Sequence, residues 1–194
     1  MKPREEKFRL LTMHGKVQPT EGSEARIRND LYMIGAIKLN FSNTKSTEVR
    51  LIGYEIPLVG DQRRGNCIDL IGYDAEYNPY IIELKRAESE EKLTKVISQI
   101  NEYAQKITPL LGQIEGELQD KLFLKSFNLK RKIQKIILAP REYYEKNPAF
   151  DRIGSDILFC SFSGIRNTNN LVEKRVGLGY VEIRIYNKPL QGRI

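Results

Sequence analysis

The sequence predicts an α/β fold in which a central mixed β-sheet is flanked by helices, and three observations carry that expectation. Two apolar runs, Cys67 to Tyr73 and Tyr80 to Lys85, are separated by the short loop Asp74 to Pro79, the pattern of an antiparallel hairpin. The stretch Glu88 to Ile107 keeps Leu93, Val96, Ile97, Ile100, Ala104 and Ile107 on one helical face. A further apolar run, Ile133 to Ala139, is reached from Lys85 through that helical crossover, so it is expected to pair parallel within the same sheet.

The other elements follow in order. Lys7 to Gly15 is a short apolar run that suits an edge strand. Ser23 can cap a helix over Glu24 to Lys38, whose buried stripe is Ile27, Leu31 and Ile34. On that wheel Glu24 falls beside the stripe, while Arg26, Arg28 and Asn29 fan towards the wet side. Phe41 to Thr47 reads as a loop and Glu48 to Val59 as a strand, with Pro57 marking an edge or an early end. Asp61 to Gly65 is a turn that places Arg63 and Arg64 at the strand tips. Leu110 to Phe127 is a second long helix, with Ile114, Leu118, Leu122 and Phe123 apolar. Arg141 to Phe150 reads as a short helix, Asp156 to Phe162 as a strand, Gly164 to Asn170 as a polar loop, and Val176 to Tyr186 as one or two final strands.

At 194 residues the chain is expected to form a single domain, able to bury roughly 70% of its unfolded surface. Within it, residues 23–139 would form the core and residues 140–194 an extension of the same domain. The 32 Lys and Arg outnumber the 25 Asp and Glu, and the net charge of +7 suits a polyanionic partner, nucleic acid foremost. One histidine, His14, and two cysteines, Cys67 and Cys160, exclude histidine-dependent triads, a zinc site and a disulfide framework. The sequence has no long uncharged apolar run and no apolar leader, so a soluble, cytoplasmic protein without membrane contact is expected.

The chemistry concentrates between Gly65 and Tyr103. Alternation along a strand puts Ile81, Glu83 and Lys85 on one face. If Ile68 to Ile71 pairs with Ile81 to Leu84, Asp69 comes close to Glu83. Unpaired buried charge costs several kcal/mol or more, so two acids in such apolar strands call for a counter-charge. Two carboxylates and the Leu84 backbone carbonyl make a hard-oxygen site suited to Mg²⁺ or Mn²⁺. Lys85 at its rim could orient or deprotonate a water while the ion polarises a phosphate. These are the parts of a phosphodiester hydrolase.

Asp69, thirteen residues, Glu83-x-Lys85, and then a helix bearing Gln99-x-x-x-Tyr103 resembles the PD-(D/E)xK nuclease superfamily, in particular the branches with a QxxxY element. The resemblance covers Ser23 to Ala139 and implies a restriction-endonuclease-like fold. It implies that Asp69 and Glu83 are metal ligands, Lys85 the catalytic lysine, Gln99 an orienting group and Tyr103 a phosphate contact. Glu24 matches the acid that many members carry on the first helix, with Glu55 its main rival and Glu21 and Glu48 also in competition. Ile68 stands where the superfamily often has proline.

Around this stretch Arg63, Arg64, Arg86, Lys92 and Lys95 suit a phosphate-tracking groove, and Lys130, Arg131, Lys132 and Lys135 form a second basic cluster. The expected activity is Mg²⁺- or Mn²⁺-dependent cleavage of DNA, by an endo- or exonuclease, with a homodimer compatible with two-strand cutting. RNA remains an alternative substrate. The competing reading is a non-catalytic DNA-binding or assembly module that keeps a nuclease-like scaffold.

Overall fold

The computed structural model describes residues 23–40, 46–58, 67–122, 127–147, 156–161 and 181–185. The expected strand at Lys7 to Gly15, the turn carrying Arg63 and Arg64, and the loop Gly164 to Asn170 lie outside the described residues, as does His14.

The first helix, α1, spans Glu24–Ile34, and the Ser23 side chain accepts the Arg26 N–H at its start. It ends four residues earlier than the apolar period predicts. Gly35 takes the left-handed φ of 86° and donates its N–H to the Leu31 carbonyl, closing the helix. The chain then turns straight into strand β1, Ala36–Asn40, whose first three residues the apolar period assigns to the helix.

Strand β2 is Ser46–Pro57, β3 is Cys67–Tyr73 and β4 is Pro79–Leu84, and the three pair antiparallel in sequence, after β1. Pro57 is the last residue of β2, so it ends a strand that is interior to the sheet rather than at an edge. Helix α2, Leu93–Ile107, continues through a 3₁₀ turn at Thr108–Leu110 into α3, Leu111–Leu122. Strand β5, Gln134–Leu138, pairs parallel with β4, as the helical crossover requires. The short helix α4 is Arg141–Glu145; β6, Ile157–Ser161, pairs parallel with β5. Strand β7, Val181–Ile185, lies antiparallel to β6 and parallel to β1, so the curled sheet closes on itself. The class is mixed α/β, as expected.

The sheet is covered on both sides, and the alternation of each strand decides which residue goes where. Ile71 and Ile81 join α2, α3 and Ile137 in one apolar cluster. Leu70 and Ile82 join Ile27 and Leu31 of α1 with Leu39, Val49 and Leu138 in the other. Every residue of β4 is therefore buried. Helix α2 buries Leu93, Val96, Ile100, Tyr103 and Ile107, and each such side chain stabilises the fold by roughly 1.5–3 kcal/mol. Gly72 sits where a Cβ would meet the Arg50 carbonyl oxygen at 2.5 Å, beside a register shift in β2 between Leu51 and Gly53.

Candidate active site

Six polar residues are buried among the described ones: Asp69, Asp74, Glu83, Lys85, Glu115 and Ser161. Two of the acids are explained locally. Asp74 accepts the backbone N–H groups of Glu76 and Asn78, both at 2.9 Å, and so holds the β3–β4 turn. Glu115 accepts the Leu129 N–H at 2.6 Å and pairs with Arg131. Asp69, Glu83 and Lys85 instead converge at the ends of β3 and β4.

The β3–β4 register pairs Leu70 with Ile82, and one step further it sets Asp69 opposite Glu83. Asp69 Oδ2 accepts the Leu84 N–H at 2.8 Å, and Oδ1 pairs with the Arg28 guanidinium. Lys85 Nζ donates to Glu83 Oε1 at 2.9 Å and reaches Glu91 Oε2 at 3.0 Å. Lys85 is only 6% exposed, so it lies inside the cluster rather than at the expected rim. Glu83 Oε2 is buried and finds no partner among the described residues.

These surroundings set the charges. Burial pushes the Glu83 carboxyl up, and Asp69 pushes it further, against the pull of Lys85. Burial alone would lower the Lys85 ammonium, but the Glu83 charge and the hydrogen bonds to Glu83 and Glu91 outweigh it and hold the proton on. Glu91 is kept below the usual carboxylate range because the hydrogen bonds from Lys95 and Lys85 overcome its partial burial.

Elements on both sides of the sheet complete the arrangement. From α1, Glu24 Oε1 accepts the Arg86 N–H at 3.2 Å, and the Glu24 charge reaches Lys85. From α2, Gln99 Nε2 donates to the Tyr103 hydroxyl at 2.6 Å. Tyr103 is buried rather than on the rim, and burial raises its hydroxyl to about 12, with Glu83 and Asp69 adding to the rise against Gln99. Gln99 Oε1, like Glu83 Oε2, is buried without a partner among the described residues. Lys92 is exposed at the start of α2 and Arg86 is half-buried. Of the rivals to Glu24, Glu55 enters the cluster through Arg28, whereas Glu48 is exposed and paired with Arg50. Arg63, Arg64 and Glu21 lie outside the described residues.

Arg28 is the main correction to the sequence reading, which sent it to the wet side of α1. Its side chain is 12% exposed and bridges Asp69 and Glu55. The spacing Glu24 to Arg28 carried the clue, because i and i+4 lie on the same helix side. Glu91, Tyr143 and Asn147 were also missed. Tyr143 donates to the Glu91 carbonyl at 2.8 Å, and Asn147 Oδ1 accepts the Leu93 N–H at 3.0 Å, so α4 and the residues after it anchor the start of α2. That anchoring, with Glu91 drawn to Lys85, fits a helix that begins at Leu93 rather than at Glu88.

Among the described residues no group of three or more histidine, cysteine or acid side chains is placed to hold a metal ion. The donor chemistry of the smaller set nonetheless suits a hard divalent cation. Asp69 Oδ1 already holds a cationic group, and Glu83 keeps an unpartnered oxygen. No helix among the described residues is long and apolar enough to cross a membrane. No family model, no curated protein and no solved structure matches the chain.

Proposed function

We propose that the chain is a Mg²⁺- or Mn²⁺-dependent nuclease that hydrolyses phosphodiester bonds of DNA on a restriction-endonuclease-like, PD-(D/E)xK scaffold. The observation that carries the reading is the buried convergence of Asp69, Glu83 and Lys85 on β3 and β4, with one Glu83 oxygen unpartnered among the described residues. Buried charges that serve only stability are normally satisfied throughout, as Asp74 is. A carboxylate raised by burial beside a lysine, as Glu83 is, marks a site suited to chemical work.

Asp69, Glu83 and the Leu84 carbonyl would hold the ion, which when bound supplies Lewis-acid polarisation of a phosphate and a more acidic water. The protein's own groups do the rest. Leu84 N–H fixes one Asp69 oxygen and so orients the carboxylate. Lys85, held as an ammonium by Glu83 and Glu91, suits donation of a hydrogen bond to the attacking water and positive charge near the developing negative charge. Gln99 keeps a carbonyl oxygen available inside the site while its amide steadies Tyr103. Arg86 and Lys92, with a net charge of +7, support a polyanionic substrate.

One observation favours the binding-only reading: both Asp69 oxygens are already engaged, by Leu84 and Arg28. A panel of single-stranded, duplex, flapped and branched DNA, with an RNA control, separates the two. The nuclease reading expects cleavage with Mg²⁺ or Mn²⁺ that Asp69→Ala and Lys85→Ala both abolish, and unchanged cleavage in those variants refutes it. The binding-only reading expects equal DNA affinity in chelator and tighter binding on Asp69→Asn.

A further inference from the structure

Arg28 takes no part in the hydrolysis described above, yet it makes the cluster's widest connection. Its Nη1 pairs with Asp69 on β3 and its Nη2 with Glu55 on β2, while Nε stays buried without a partner among the described residues. A guanidinium keeps its charge under all ordinary conditions, so it offsets the negative charge of the acids whether or not anything else is bound. A divalent cation at Asp69 would meet that fixed positive charge at contact range, where like charges repel strongly in a poorly solvated site.

Glu55 gives the arginine somewhere to stay. The β2–β3 register pairs Tyr54 with Leu70 and Ile56 with Ile68, which sets Glu55 opposite Asp69. Its backbone φ of 49° is left-handed, a conformation that a non-glycine residue adopts at a cost and that recurs at functional positions. Its side chain is 42% exposed, so Arg28 can keep this partner at the edge of the site after leaving Asp69.

We propose that Arg28 is a displaceable counter-cation for the metal site: it neutralises Asp69 in the metal-free protein and releases it, keeping Glu55, as a divalent ion is taken up. The inference rests on the reading of Asp69 and Glu83 as metal ligands and adds what sets the affinity of that site. Arg28 is a positioning residue here, and removing its charge makes the ion bind more tightly. A hydrogen-bonded ion pair at a buried carboxylate corresponds to a change of about tenfold or more in an equilibrium constant. A purely structural arginine would show the opposite, a destabilised site that binds the ion less well.

Calorimetric titration of Mn²⁺ into the full chain and its Arg28→Met, Arg28→Lys and Asp69→Asn variants tests this, together with melting curves with and without Mn²⁺. The expected result is about tenfold tighter Mn²⁺ binding by Arg28→Met, with Arg28→Lys in between because lysine cannot bridge two carboxylates with a fork. Mn²⁺ should also raise the melting temperature of Arg28→Met by more than that of the unaltered protein. Equal or weaker Mn²⁺ binding by Arg28→Met, where Asp69→Asn still impairs it, overturns the inference and leaves the nuclease reading standing. If Arg28→Met does not fold, Arg28→Lys decides: tighter binding than the unaltered protein supports the inference, and equal or weaker binding overturns it. Mn²⁺ binding that Asp69→Asn leaves unchanged overturns the metal-site reading itself, and the inference with it.

Discussion

Replacing Lys85 with methionine keeps an unbranched apolar stem and takes the ammonium from between Glu83 and Glu91. Glu83 then lies buried, its side chain 4% exposed, beside Asp69 and without its cation. Removing one partner of a buried pair costs about 3–5 kcal/mol. The Glu91 contact, on a side chain 24% exposed, adds no more than about 1 kcal/mol. Losing Lys85 raises the Glu83 carboxyl further, so the full loss of about 3 kcal/mol, or roughly 6–12 °C in Tm for a domain of this size, is expected at about pH 9.5, where that carboxyl is forced to ionise. The pH dependence has a defined sign. Folding raises the Glu83 carboxyl from 4.5 to about 8, by burial first and Asp69 second, so the folded state binds more protons across that window and stability falls as pH rises through it. Glu83 takes up its proton as pH falls through about 8, so at about pH 5.5 it is neutral and the cost of losing Lys85 shrinks. Urea unfolding followed by circular dichroism in chelator measures both values, and adding Glu83→Gln to Lys85→Met should restore most of the loss. A cost below about 1 kcal/mol at about pH 9.5, or one that does not fall on acidification, refutes the reasoning.

Further outcomes follow from the same structure. Gly72→Ala drives a methyl group against the Arg50 carbonyl oxygen at 2.5 Å and Val49 Cγ1 at 2.8 Å, so equilibrium unfolding should show a loss of about 1–3 kcal/mol; a neutral result contradicts the packing of β2 on β3. Ser23→Ala removes the α1 cap and should cost about 1 kcal/mol, with Ser23→Asp retaining most of it. Burial pushes the Cys160 thiol far up and shields it, whereas Cys67 is half-buried. A disulfide reagent should thus modify Cys67 in the folded protein and Cys160 only on unfolding, and rapid modification of Cys160 would contradict the closure of β5 on β6.

The parts of the fold that the sequence disclosed are those fixed by local pattern. The bounds of β3 and the Asp74 turn follow from alternation and turn chemistry within a few residues, and the β3–β4 register then places Asp69 opposite Glu83. The sense of β5 follows from the length of its crossover. What stayed hidden depends on distant partners or on one backbone angle. Ile34 and Ile37 continue the helical spacing of Ile27 and Leu31 across Gly35, so nothing in the period separates α1 from β1; the left-handed φ of Gly35 does. Arg28 reads as a solvated helix residue because its partners Glu55 and Asp69 lie 27 and 41 residues further along the chain. The same holds for Tyr143 and Asn147, which reach back 52 and 54 residues to the start of α2. The pairing of β1 with β7 joins segments from opposite ends of the chain, beyond the reach of any local window.

The most direct test of the central claim is a crystal of the protein soaked in Mn²⁺, with data collected to reveal anomalous scattering. The account predicts a Mn²⁺ peak between Asp69 and Glu83, about 2.0–2.3 Å from a carboxylate oxygen of each, and no such peak in Asp69→Asn crystals. A Mn²⁺-soaked crystal with no peak between those two residues, or with the ion bound only elsewhere, would contradict it.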